Sequence, residues 1–126
     1  MSPPRDRRYS AEHVWLKPDG DHLIMGVTDH AQQSLGDINE LELSSRGQRL
    51  GAGDCCGSIE SVKTASDLIA PLAAIVLERN TAVDLDPELV NMQPYDGGWL
   101  LRPSDFEASD YDRSLEVGQY TDLIGD

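Results

Sequence analysis

Lysine is scarce in this chain. Eight of the ten basic residues are Arg, and Lys17 and Lys63 are the only lysines, so lysine chemistry has two candidates. Lys63 stands in Gly57-Ser58-Ile59-Glu60-Ser61-Val62-Lys63-Thr64-Ala65-Ser66-Asp67-Leu68-Ile69-Ala70-Pro71. Two runs of strand formers, Ser58 to Val62 and Asp67 to Leu72, flank a short polar connection, which predicts a β-hairpin with Lys63 at or beside its tip. A lysine there can simply be a solvated charge that discourages edge pairing. As a Schiff-base nucleophile it would need a desolvating pocket that depresses its pKa, and Glu60, Ser61 and Asp67 would raise it instead.

The other chemistry-bearing residues are weaker candidates. Cys55 and Cys56 are adjacent, so they cannot staple distant segments and lack the spacing of a redox or zinc pair. They read as small hydrophobes with one exposed thiol. His13, His22 and His30 form no helical pair with a carboxylate at metalloprotease spacing. Asp105 to Glu116 has acids at the first, third and twelfth places of a calcium loop, but Asp110 stands where the sharp bend demands Gly. Glycine-rich phosphate loops and nucleophile elbows are absent. No metal is expected.

The elements that must position Lys63 follow from the rest of the chain. With 126 residues a single domain is expected. Residues 1–8 carry two prolines and alternating charge and read as a flexible leader; residues 9–126 read as the domain, ending in an acidic segment with seven acids from Ser104 onward. Lys17-Pro18-Asp19-Gly20 is a turn signal for a first hairpin. Leu23 to Val27 reads as a strand, followed by a brief helix that Thr28-Asp29 caps and Gly36 closes. Glu40-Leu41-Glu42-Leu43 alternates as a half-buried strand. A further helix is expected around Tyr111 to Val117. The short strands and turn signals together predict a mainly β sandwich or flattened barrel. The net charge of −13 excludes nucleic acid and anionic membrane surfaces as partners. No apolar run reaches the roughly 18 residues of a membrane span, and a cytoplasmic monomer is expected.

The pattern around Lys63, Glu-Ser-Val-Lys, two residues, Ser-Asp, two residues, Ala-Pro, resembles the lipoylation hairpin of glycine cleavage H proteins. The resemblance extends from about Tyr9 to Asp105. Its landmarks, in order, are Tyr9, His13 and Trp15; Gly26-Val27-Thr28-Asp29-His30-Ala31-Gln32; Leu35-Gly36-Asp37-Ile38; Glu78-Arg79-Asn80; Pro87-Glu88-Leu89-Val90-Asn91; Pro94-Tyr95; and Gly98-Trp99-Leu100. It implies a barrel-sandwich hybrid fold with short helices and a lipoyl group amide-linked to Lys63. It also implies that Glu60 and Asp67 present the hairpin to the lipoate-attaching enzyme. Such a protein is a carrier subunit rather than an enzyme: a rigid turn lets the extended stem swing, and the dithiolane at its end carries electrons or a covalent load.

The departures bear on the load. In the family an acid between the opening His and Trp belongs to the polar pocket that shelters an aminomethylated arm, and this chain has Val14 there. Glu12 stands where Ser or Lys is frequent, and Ser34 where some members have an imidazole. Loss of the carboxylate at position 14 favours a specialised lipoate-binding carrier of the heterodisulfide-reductase-like sulfur oxidation pathway, serving that complex. The alternative is the H protein of a glycine cleavage system, serving the glycine cleavage enzymes and dihydrolipoamide dehydrogenase. A second alternative is an unmodified interaction module.

Overall fold

The computed structural model describes residues 2–125, so Met1 of the expected leader and Asp126 of the acidic segment lie outside it. The chain runs β1 (Arg8–Tyr9), β2 (Val14–Asp19), β3 (His22–Val27), α1 (Asp29–Leu35), β4 (Ile38–Leu43), β5 (Arg49–Leu50), β6 (Cys55–Ser61), β7 (Ala65–Ile69), β8 (Ala74–Arg79), α2 (Thr81–Leu85), α3 (Glu88–Met92), β9 (Leu101–Ser104), α4 (Ala108–Asp112) and α5 (Val117–Ile124). The strands form a six-stranded sheet, β1-β2-β3-β9-β8-β5, and a three-stranded sheet, β4-β6-β7. All pairings are antiparallel.

Strand alternation divides the core in two. Val14 and Leu16 of β2 join Leu23, Met25, Leu41, Ile59, Leu68 and Val76 in the main core. Trp15, on the opposite face of β2, packs with Tyr9, Tyr95 and Tyr120. Trp15 lies across Gly26, where a Cβ would fall 2.6 Å from the indole; only glycine permits this approach. The indole N–H donates to the carbonyls of Val27 (3.0 Å) and Pro94 (2.9 Å).

The ordered fold starts earlier than the sequence suggests. Arg8 pairs with Leu16 in β1. Arg7 is buried, its guanidinium 4.6 Å from the Trp15 ring centroid and 5.5 Å from that of Tyr95. It donates to the Tyr95 carbonyl at 3.0 Å and pairs with Asp6 at 2.8 Å. A charge can be buried here because aromatic faces, a carbonyl and a carboxylate surround it. The helix expected around Tyr111 to Val117 is replaced by α4 and α5, because Leu115 bridges to Tyr9 with two backbone hydrogen bonds of 2.8 and 2.9 Å. The helix starting at Thr28 matches expectation: its hydroxyl accepts from the Ala31 N–H, and Gly36 closes the helix at φ 81°. Cys56 is fully buried and its thiol is pushed up to about 12, chiefly by burial, while Cys55 is exposed.

Arg7→Lys should cost about 1–3 kcal/mol, because an ammonium cannot reproduce both the stacking and the hydrogen bond to Tyr95. Urea unfolding would show this as a lower midpoint at unchanged slope.

Candidate functional site

Lys63 stands in the connection between β6 and β7, exposed together with Val62 and Thr64. The strands are Cys55–Ser61 and Ala65–Ile69, displaced toward the N-terminus from the expected runs. Neither Val62 nor Lys63 has a positive φ, so the tip is not a glycine-dependent hairpin turn. Ser61 knits it instead. The Ser61 N–H donates to the Thr64 carbonyl at 2.8 Å, and its hydroxyl accepts from the N–H groups of Lys63 and Thr64, both at 3.2 Å, while donating to the Thr64 carbonyl at 3.1 Å. A serine at a turn's first position, able to bond backbone groups two and three residues on, is the sequence signal for this role.

The tip rests on the turn between α1 and β4. The Val62 N–H donates to the Asp37 carbonyl at 3.0 Å. The Lys63 stem passes over Gly36, where a Cβ would stand 3.2 Å from Cε. Asn91 of α3 clamps this turn: its Oδ1 accepts from the Ile38 N–H, and its Nδ2 donates to the Gly36 carbonyl, each at 2.9 Å. Sequence reasoning reached Gly36 and Asn91 as family landmarks but assigned them no role at the lysine.

Glu60 and Asp67 are both exposed on the hairpin. Glu60 opposes Glu40 on β4 and Ala65 on β7, and Asp67 opposes Ser58. By strand alternation the two residues share one face of the small sheet, one strand apart and two residues out of step, with Asp67 on its free edge strand. Among the described residues no metal-binding group of three or more His, Cys, Asp or Glu occurs.

Beside the hairpin lies a cleft of about 350 Å³ between the free edge of β7, α1 and the turn before β2. Val27, Ala31, Leu35, Ile59 and Leu68 supply apolar walls; Glu12, His13, Ser34 and Asp67 supply polar groups. Val14 does not line it. His13 adopts a left-handed conformation, φ 66°, closing a turn in which its N–H donates to the Ser10 carbonyl at 3.1 Å. After this turn Val14 points into the main core, 1% exposed, and Glu12 reaches the cleft. The loss of a carboxylate at position 14 therefore does not leave the cleft without acids. Burial first, then neighbouring His30, holds the His13 imidazole below its ordinary pKa, while Glu12 pulls it upward.

A family model described as Glycine cleavage H-protein matches residues 7–125. The chain belongs to the glycine cleavage H-protein family. It is 41% identical to a glycine cleavage system H protein of Thermus thermophilus over 124 residues, 98% of this chain and 97% of that protein. Against the glycine cleavage system H protein of Carboxydothermus hydrogenoformans the identity is 45% over 121 residues, 96% and 93% of the two chains. A crystal structure of a glycine cleavage system H protein from Mycobacterium marinum superposes with a TM-score of 0.87 at 36% identity, covering 98% of this chain and 99% of that one. The fold is thus the expected barrel-sandwich hybrid. H proteins are carriers, not catalysts, and hold lipoate covalently on a lysine. These relatives support the glycine cleavage alternative over the sulfur-oxidation preference, whose electrostatic basis fails because Glu12 and Asp67 line the cleft. They give the heterodisulfide-reductase-like complex no support as a partner.

Gly36→Ala should destabilise the protein by about 1–2 kcal/mol, since alanine is strained at positive φ and its methyl presses on the Lys63 stem. Chemical denaturation measures the loss. Chemical shift changes at the Lys63 and Val62 amides would show that the hairpin tip moves with it.

Proposed function

We propose that this chain is the lipoyl carrier of a glycine cleavage system, a cytoplasmic monomer with Lys63 as its attachment residue. The observation that carries this reading is an exposed lysine on a knitted turn, its stem on a glycine platform, beside an apolar cleft with acids among its polar groups. These residues suit the group. A flexible amide-linked chain needs a stiff anchor, and Gly36 leaves the stem room that a Cβ would fill. Lipoate supplies a dithiol, one sulfur of which carries the aminomethyl load between partner enzymes.

The chain's own residues then divide the work. Glu60 and Asp67 flank the lysine for recognition by the lipoate-attaching enzyme. Lys17 is the competing amine, but it lies on β2 and 3.8 Å from Asp6, leaving Lys63 as the lysine on a projecting turn. Ala31, Leu35 and Leu68 offer hydrocarbon contact to a folded-back stem, while Glu12 and Asp67 offer negative charge to an amine at its end. Glycine cleavage enzymes and dihydrolipoamide dehydrogenase are the partners this implies.

Lys63→Arg keeps the charge but cannot form the amide linkage. Made under full lipoylation, it should support no carbon dioxide exchange with glycine decarboxylase while its stability stays within about 0.5 kcal/mol of the parent. Exchange by Lys63→Arg would remove Lys63 from its role, and the absence of exchange by the lipoylated parent would refute the glycine cleavage assignment. Glu12→Gln should weaken retention of an aminomethylated arm in the cleft by about fivefold, as for an ion pair worth about 1 kcal/mol. The fraction of loaded arm in contact with Ala31 and Leu35, read from NMR, measures it.

A further inference from the structure

The lipoyl-carrier reading accounts for the projecting lysine but not for the open strand that follows it. β7 is an outer strand of the small sheet: β6 pairs with one side, and no strand among the described residues pairs with the other. The open side faces the cleft, which Thr64 to Leu68 line without a break. Space therefore lies where a further strand would run.

The ladder fixes which main-chain groups face that space. Along β6 the backbone groups of successive residues turn to opposite neighbours. The Cys56 carbonyl accepts from the Ser44 N–H at 3.0 Å, and the Val62 N–H donates to the Asp37 carbonyl at 3.0 Å. The even-numbered residues between them, Ser58 and Glu60, therefore turn toward β4. Ser61 is in the opposite phase, its N–H donating to the Thr64 carbonyl at 2.8 Å. Across the hairpin Ser58 stands opposite Asp67, and Glu60 opposite Ala65. Ala65 and Asp67 thus form non-hydrogen-bonded pairs with β6, and their N–H and C=O groups point out of the free edge. Two long side-chain contacts agree with this phase: Thr64 Oγ1 donates to the Ala65 carbonyl at 3.4 Å and Ser66 Oγ to the Asp67 carbonyl at 3.5 Å. The edge offers donors and acceptors at strand spacing, beginning two residues after the attachment lysine.

An open edge of this kind is a template for one more strand. A second copy is a poor occupant. Each chain carries a net charge of −13 and the edge itself carries Asp67, so pairing two of them brings like charges together. The glycine cleavage enzymes meet the protein after its arm exists, and an arm resting in the cleft lies along this same edge. The lipoate-attaching enzyme meets it earlier, with the cleft empty, and must hold Lys63 in one position. We propose that β7 pairs, through the outward groups of Ala65 and Asp67, with an extended strand of the lipoate-attaching enzyme that sets a basic side chain against the Asp67 carboxylate. The register of that strand fixes the distance to Lys63, and an arm folded into the cleft displaces it. The inference rests on the lipoyl-carrier reading.

Hydrogen exchange, followed by NMR on the full unlipoylated chain, reads the edge directly. In the free protein the Ala65 and Asp67 amides should exchange about tenfold or more faster than that of Ser66, which the same phase places against Ile59; equal protection of the three overturns the proposal. A lipoate ligase that modifies this chain, held without ATP and added until the Val62 amide shift saturates, should slow Ala65 and Asp67 by about tenfold or more. Unchanged exchange at that saturation overturns the proposal, as does slowing produced by raising the protein concentration alone, which would assign the edge to a second copy. Ala65→Pro removes one outward donor and leaves the ladder to β6 intact. It should raise the KM for lipoylation about tenfold, as for one lost hydrogen bond, and an unchanged KM overturns the proposal; if this variant fails to fold, the exchange measurements decide alone. Lys63 left unmodified by the ligase refutes the carrier reading and the docking with it, whereas Lys63 lipoylated with both edge amides unprotected refutes the docking alone.

Discussion

The hairpin end depends on the backbone turn at Gly36-Asp37-Ile38. It closes α1, starts β4, accepts the Val62 N–H through Asp37 and lies under the Lys63 stem. Asn91 fixes it from both sides with one amide side chain. A mobile arm is useful only if its root is not mobile, because uncertainty at the anchor is magnified at the far end. The geometry meets that condition with hydrogen bonds to backbone groups, which hold position without covering the lysine.

The two cores serve the same end differently. The main core, between the sheets, makes β6 and β7 a rigid ladder through Ile59 and Leu68. The aromatic core ties N-terminal and C-terminal segments to the back of β2 through Arg7, Trp15, Tyr95 and Tyr120. His13 stands where the second core meets the cleft, its Nδ1 2.8 Å from the hydroxyl of Tyr120 in the C-terminal helix α5. Twenty-three carboxylates against two lysines leave Lys63 projecting from an acidic body.

What was legible in the sequence was local. The Lys17-Pro18-Asp19-Gly20 turn joins β2 and β3, the Thr28 cap and Gly36 stop bound α1, and Glu40 to Leu43 alternates out and in. Lys63 at a hairpin tip needed only two β-prone runs and a polar link. What misled was nonlocal. Arg7 looks like part of a charged leader until Trp15 and Tyr95 close over it, and Tyr95 is 88 residues away. Leu115 looks helical until Tyr9 pairs with it. The apolar run through Leu72 looks like strand, yet β7 ends at Ile69 and the Ala70 N–H turns to the Asp54 carbonyl. The cleft acid was sought at position 14 because sequence position does not reveal that the His13 turn sends Val14 inward and Glu12 toward the arm.

The central claim is that one lysine on this turn is the attachment residue. Site-resolved mass spectrometry of protein produced with an active lipoate-attaching enzyme tests it most directly. The account predicts one lipoyl group, on Lys63, with Lys17 unmodified; full lipoate supply with Lys63 free, or the group on Lys17, would contradict it.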